Sequence, residues 1–552
     1  MREPGILFQH FYYPTPELPT SRSWWRQATE QLAELARLGI WGIWHPVPVK
    51  GGSGRFSMGY DPYDYYDLGS KDQRGSVATH FGTRDEYLAY VATAHTQGLS
   101  VIADVVLNHC GGADQAQISP VQERLGWDDI SDDTKVPLDH LPPDYDPKRD
   151  NLRAWSGFNP KGADGRKGSG RFPRDWRSFH PTTLHPDHNE PYHHPDFGSD
   201  FCPEAEDGYI AKSFLAWSEW FMKQSGVDGY RLDAVKLMEP AFLRDFAAHV
   251  RPDSYLVGEF WDTNPKLLGD FQSATENRMR LFDFGLFYAL KDLTEKPNFD
   301  LRTVLSRRFR DRARAVMFVS NHDVDRSQAI EPTKRGLPYA LMLAQAGQPS
   351  VFYHDYFSNP ELAVLLKNLI PLARAFATGQ ERVLLATPDQ LVIERQGGLL
   401  AQFWTSPTRP NLLLPQLGRG RTLTAQGPGF AYLTPTSALA SPRPAARATT
   451  QTFEFDDDLD TGSLGKTQRS VQITAAGGSA LLARLTGAYG EGSVLIELRD
   501  TNGRGIAAAT APRGRAVVLR AHLPTNGSYR FLITAPGNPT TAALTVVYHG
   551  AP

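Results

Sequence analysis

Short apolar, β-rich runs alternate with helix-patterned runs from residue 5 to about residue 375, and this alternation constrains the fold more than any other feature of the chain. GILFQHFYY (5–13) precedes SWWRQATEQLAELARLG (23–39), whose apolar residues recur at helical spacing and end on a glycine stop. GIWGIWHPVPV, SVIADVVLNH (100–109), VDGYRLDAV, YLVGEF (255–260), RLFDF (280–284), AVMFVSN (315–321) and PSVFYHDYF (349–357) continue the series, with helical segments between them. Near-continuous apolar strands separated by helices predict a parallel sheet covered on both faces. Eight of them predict a closed (β/α)8 TIM barrel, with an open doubly wound sheet as the alternative.

The alternation breaks once. Residues 110–204 are rich in Pro, Gly, Asp and His and show little periodicity. A stretch this long after the third strand reads as an inserted domain beside the barrel's C-terminal face. The expected organisation is a barrel in two parts (1–109 and 205–378) around that insertion, then an antiparallel β-domain (379–435), a Pro/Ala/Ser/Thr-rich linker (436–451) and a C-terminal β-sandwich (452–552). The sandwich contains no Trp, so a spacer or docking role leads over sugar binding, with Tyr489, Tyr529 and Tyr548 as substitute platforms. At 552 residues with a net charge of −3, nothing suggests a nucleic-acid or membrane partner, and no apolar run is long enough to span a bilayer. The expectation is a monomer. The first residues, MREPGILFQHFYYP, do not read as a secretory leader, so the protein is cytosolic or the leader is absent from this chain.

Barrel chemistry sits at the C-terminal strand ends. Those ends hold Asp104, Asn108 and His109 (DVVLNH), Arg231 and Asp233 (GYRLDAVK, 229–236), Glu259 (VGEFW), and His322 and Asp323 (FVSNHD). Buried charges are costly unless paired, so converging carboxylates point to function. Retaining glycoside hydrolysis needs one ionised carboxylate as nucleophile and a protonated one nearby. Arg231, two residues from Asp233 and on the same strand face, would keep Asp233 ionised. Glu259 has no basic neighbour in its motif and is flanked by Phe260 and Trp261, a setting that would raise its pKa and suit an acid/base.

DVVLNH, GYRLDAVK, VGEFW and FVSNHD, in this order and on these strands, resemble the four signature regions of the α-amylase family, glycoside hydrolase family 13. Residues 59–83, 106–114 and 157–180 also resemble the bacterial liquefying α-amylases, and the likeness covers roughly 5–435. It implies a retaining endo-acting α-1,4-glucan hydrolase. Asp233 would be the nucleophile, Glu259 the acid/base and Asp323 the transition-state stabiliser. His109, Arg231 and His322 would line the subsite holding the sugar under attack. Tyr60, in MGYDPYD, would stack on that sugar, Lys236 would contact the aglycone side, and Trp261 would form a further wall or pack in the core. A maltooligosaccharide-forming amylase or a transglycosylase is the alternative, and a non-catalytic glucan-binding relative the remote one.

The resemblance also implies a structural Ca2+, with Asn108, Asp200, the weaker candidate Asp196 and the Leu237 carbonyl as ligands. Leu237 stands where the family usually has His, and Ser320 where Asp is frequent, which leaves product length open. Cys110 and Cys202 each lie two residues from a calcium candidate, so a disulfide or close thiol pair beside the metal is expected, with two inert thiols as the alternative. His180, His185, His188, His193 and His194 lack regular ligand spacing and read as loop or sugar contacts. The appended β-domain and the possible disulfide favour secretion, with a cytoplasmic enzyme as the alternative.

Overall fold

A computed structural model describes residues 4–16, 22–115, 157–160, 167–179, 199–205, 207–250, 252–406, 420–436, 448–455, 466–475, 480–488, 494–500, 502–511, 517–522, 527–536 and 541–549. The chain divides into two compact units, Met1–Val91 with Ser100–Leu439, and Ala440–Pro552 with Ala92–Leu99.

The first unit is built on a closed barrel of eight parallel strands. They are β1 (Leu7–Gln9), β2 (Gly42–His45), β3 (Ser100–Val105), β4 (Gly229–Leu232), β5 (Tyr255–Gly258), β6 (Arg280–Phe282), β7 (Ala315–Phe318) and β8 (Gln348–Phe352). Each pairs with its neighbours in sequence, and β8 closes on β1 with Ser350 opposite Leu7. A principal helix follows each strand: α1 (Trp24–Leu38), α2 (Arg84–Thr96), α3 (Tyr209–Ser225), α4 (Pro240–His249), α5 (Pro265–Ala274), α6 (Phe284–Glu295), α7 (Gly336–Ala344) and α8 (Pro360–Phe376). The helix ends obey local chemistry. The Ser23 hydroxyl accepts from the Arg26 N–H at the start of α1, and Gly39 ends it in a left-handed conformation at φ 101°. Asn264 caps α5 and Asn359 caps α8, each followed by proline in the first turn.

Strand alternation sorts the side chains of β4. Tyr230 faces outward among Trp217, Phe221 and Phe246 of the helices, at ring separations of 6.0–6.2 Å. Arg231 and Asp233 take the opposite face, toward the barrel interior.

Among the described residues between Cys110 and Phe201, the insertion contributes a phenylalanine cluster. Phe172, Phe179 and Phe201 pack together, and Phe201 meets Phe214 of α3 at 5.1 Å. The short pair His109–Cys110 runs antiparallel to Ser199–Asp200. Cys110 and Cys202 are buried and form no disulfide; the bridge expected as one possibility from their place in the sequence is not formed, and with it goes that argument for secretion. His180, His185, His188, His193, His194 and Asp196 lie outside the described residues, as do residues 437–447 of the expected linker.

Five antiparallel strands follow the barrel: β9 (Glu381–Ala386), β10 (Gln390–Arg395), β11 (Leu400–Trp404), β12 (Arg421–Gly427) and β13 (Phe430–Pro435). The second unit has two four-stranded antiparallel sheets, its first strand running Ala448–Phe455. Tyr529 is 2% exposed in one of them, so this possible substitute platform is buried and offers no face to a sugar. No helix among the described residues is long and apolar enough to cross a membrane.

Candidate active site

The site begins with the register of three strands. Asp104 of β3 sits directly opposite Arg231 of β4, and Arg231 is opposite Val257 of β5. Just past the strands, the Asp233 N–H donates to Val105 O and the Glu259 N–H to Leu232 O, both at 2.9 Å. Backbone pairing thus delivers three carboxylates around one guanidinium. Arg231 Nη1 contacts Asp104 Oδ1 at 2.9 Å and Asp233 Oδ1 at 2.5 Å, while Nη2 contacts Glu259 Oε2 at 2.7 Å. Arg231 is 1% exposed, and its guanidinium lies 5.2 Å over the Trp44 ring. Charge-assisted bonds of this kind are strong and fix geometry.

Ala234 completes the turn. It is left-handed at φ 47°, a conformation that costs a residue with a Cβ. The turn aims the Ala234 N–H at Glu259 Oε2, 3.1 Å away, before the chain enters the short helix Val235–Leu237.

A second chain of contacts runs from Asp104 toward Asp323. The Tyr60 hydroxyl donates to Asp104 Oδ2 at 2.7 Å and lies 2.7 Å from His322 Nε2. The two rings stack at 5.3 Å, tilted by 12°. Gln9 Nε2 reaches His322 Nδ1 at 2.9 Å, and Asp323 Oδ2 lies 3.3 Å from His322 Nε2. Hydrogen-bond accounting assigns the imidazole proton to Nε2, because the Gln9 amide donates to Nδ1. Residues 76–78, further along the chain from Tyr60, are tied to a buried lysine. Buried Lys50 directs its ammonium at the carbonyls of Ser76 (2.7 Å), Val77 (2.8 Å) and Ala78 (3.1 Å), with Asp67 at 3.6 Å.

Burial sets the protonation pattern. It pushes the Glu259 carboxyl well above the usual carboxylate range; Arg231 opposes this, while the charges of Asp233 and Asp323 add to it. Burial raises Asp104 to about 6 against the pull of Arg231, and it lowers His322 to about 4, leaving a neutral imidazole at pH 7. Burial, with Asp104 adding to it, lifts the Tyr60 hydroxyl well above its ordinary value.

The structure brings Tyr60, Arg231, Asp233, Glu259, His322 and Asp323 together. His109 joins them differently: its Nε2 lies 2.8 Å from the Tyr60 carbonyl, so it fixes the Tyr60 loop. Lys236 is paired with Asp262 at 2.8 Å. Trp261 is half-buried, stacked on Phe284 at 4.8 Å with its indole N–H bonded to Tyr288 at 3.0 Å. Glu259 has no basic neighbour in its own motif, but folding supplies Arg231 as one. The motifs assign Asp104 no role, and nothing in the sequence singles out Gln9 or Ala234. The detectable signal was Asp104 on the strand preceding Arg231; no pattern marked the other two.

For a cation, Asn108 is buried and nothing among the described residues donates to its Oδ1. The Phe201 N–H donates to Asn108 O at 2.8 Å, which brings the Asp200 main chain alongside. Leu237 ends the turn after Asp233. An amide oxygen, a carboxylate and a main-chain carbonyl are hard donors of the type calcium takes. Among the described residues, no group of three His, Cys, Asp or Glu side chains gathers as a metal site.

Residues 25–354 match the family model described as the α-amylase catalytic domain. An α-amylase of Geobacillus stearothermophilus is 29% identical over 434 residues, covering 71% of this chain and 75% of that protein. A glucan 1,4-α-maltohexaosidase of Bacillus sp. strain 707 is 29% identical over 390 residues, covering 64% and 71% respectively. In fold, an Anoxybacillus α-amylase superposes with a TM-score of 0.50 at 16% identity, covering 95% of this chain and 99% of that one.

Replacing Arg231 by Met leaves three buried carboxyls without a cation. Their folded-state pKa values then rise above the unfolded ones, so the variant loses stability as pH rises through them. We expect a deficit of about 3–5 kcal/mol at pH 7 that shrinks at pH 5. Urea unfolding of both proteins at the two pH values checks this; an equal deficit at both would remove the charge argument.

Proposed function

Because this chain belongs to the α-amylase family of glycoside hydrolases, we propose that it is a retaining, endo-acting α-1,4-glucan hydrolase acting on starch, glycogen and maltooligosaccharides. The observation that carries this reading is the one guanidinium that holds Asp233 and Glu259 side by side, with burial keeping the glutamic acid protonated. Two acceptors on adjacent nitrogens of a single planar group favour the close spacing of double displacement over the wider spacing of inversion.

In the first step Asp233 attacks the anomeric carbon as Glu259 gives its proton to the glycosidic oxygen. The C–O bond to the leaving chain breaks and an ester forms at Asp233. In the second, Glu259 takes a proton from water, the hydroxide adds to the anomeric carbon, and Asp233 leaves. The oxocarbenium-like charge between these states is opposite in sign to Asp323, which stabilises it. Tyr60 supplies an apolar face for the sugar, and neutral His322 lines the same subsite and fixes the Tyr60 hydroxyl from Nε2. Arg231 aims both working carboxyls, His109 orders the Tyr60 loop, Lys236 and Trp261 border the leaving-chain side, and Asp104 anchors Tyr60. Calcium, held by Asn108, Asp200 and Leu237, with Asp196 as a weaker candidate, would brace the insertion against the barrel rather than take part in chemistry. The relative named as a maltohexaosidase supports a second reading, an enzyme releasing one preferred length.

Three outcomes test this. On maltoheptaose, new reducing ends should appear first as the α-anomer by NMR, in several lengths; early β-anomer would overturn the double displacement, and one dominant length would favour the second reading. Asp323→Asn removes a negative charge that raises the Glu259 pKa. The acid then ionises at lower pH, so the alkaline limb of kcat/KM should move down in the variant; an unmoved limb would reject Glu259 as the acid. Chelation should lower the melting temperature of the native protein and leave an Asn108→Ala variant unaffected, and equal shifts in both would exclude Asn108 as a ligand.

A further inference from the structure

On the rim opposite Lys236 and Trp261, three adjacent strands deliver a polar cluster that the proposed chemistry leaves unused. Tyr12 and Tyr13 follow β1, Asp325 and Arg326 follow β7, and His354 follows β8. The cluster is continuous with the Tyr60 platform: the Tyr13 ring is 6.4 Å from that of Tyr60, and the Arg326 guanidinium lies 4.0 Å over the Tyr13 ring. Tyr12 covers one face of His354 at 4.1 Å.

His354 is held at one nitrogen. Its Nδ1 lies 3.1 Å from Asp325 Oδ2, and its side chain remains 33% exposed. Among the described residues no hydrogen bond falls on its Nε2. Asp325 is itself fixed from behind: Arg335 Nη2 contacts its Oδ1 at 2.7 Å, and buried Arg335 also pairs with Asp355 and donates to Ile330 O at 2.8 Å. A buried ion-pair network of this kind is a poor device for stability alone. It is a good device for holding one carboxylate in one orientation. The result parallels His322, an imidazole fixed at Nδ1 and stacked against a tyrosine.

We propose that His354, oriented by Asp325 and backed by Tyr12, is a specificity-determining residue that hydrogen-bonds, through Nε2, a hydroxyl of the glucose unit next to the one on Tyr60. The inference rests on the α-1,4-glucan reading of the site. Tyr12 and Tyr13 offer apolar faces for pyranose rings, and His354 supplies the directional polar contact that a flat apolar face lacks.

The test uses the full chain. In an inactive Asp233→Asn background, His354→Ala should weaken maltoheptaose binding about fivefold by calorimetry, the loss of one hydrogen bond. His354→Gln should recover part of it, and the melting temperature should stay unchanged. In the active enzyme His354→Ala should raise KM about fivefold, more than it lowers kcat, and shift which bond of maltoheptaose is cut. Binding and KM within twofold of the parent, or a lower melting temperature with uniformly lower kcat, would overturn the inference and leave His354 a packing residue. If the parent neither cleaves nor binds maltoheptaose, the glucan reading itself fails and takes this inference with it.

Discussion

A single buried cation serving three carboxylates is the constraint on which the rest of the site depends. Arg231 touches Asp104, Asp233 and Glu259 while almost wholly out of water. One positive charge cannot neutralise three negative ones, and the excess is relieved by protonation. Glu259 and Asp104 are the groups burial pushes upward. The cluster therefore sets the number of protons in the site before any substrate enters. In the proposed reaction that count changes: esterifying Asp233 removes one negative charge, Arg231 turns to Glu259, and the acid of the first step becomes a better-ionised base for the second.

Much of this was legible in the chain. The eight strands are short and apolar with helices between, and burial on both faces demands that pattern. Arg231 and Asp233, two apart, reveal their shared face through the period of a strand. What was not legible depends on contacts between strands. The pairing of Asp104 with Arg231 is a matter of register, and register is fixed by barrel closure rather than by either motif. Glu259 looked free of cations because its partner is 28 residues earlier in sequence, on the neighbouring strand. Cys110 and Cys202 sit near elements that meet, but they form no disulfide. Gln9 lies in an apolar strand and shows its role only once β1 is beside the His322 ring.

The neutral state of His322 follows from the same dryness. A charged imidazole there would add a second cation and compete for the carboxylates that Arg231 organises. Kept neutral, with Gln9 at Nδ1, it passes a directed hydrogen bond toward Tyr60 and Asp323. The order of donors along this chain, from imidazole to phenol to Asp104, is set by Gln9 at one end and by a buried carboxyl at the other.

The left-handed turn at Ala234 has a bearing on how such a site can drift over generations. Its contact to Glu259 comes from the main-chain N–H, so of all exchanges at position 234 only proline, which lacks that hydrogen, deletes it. Selection at that position acts on backbone tolerance, where glycine and asparagine fit with less strain than a branched residue. Side chains around the site can thus diverge while one of the bonds that holds Glu259 in place persists through every exchange at position 234 but that one.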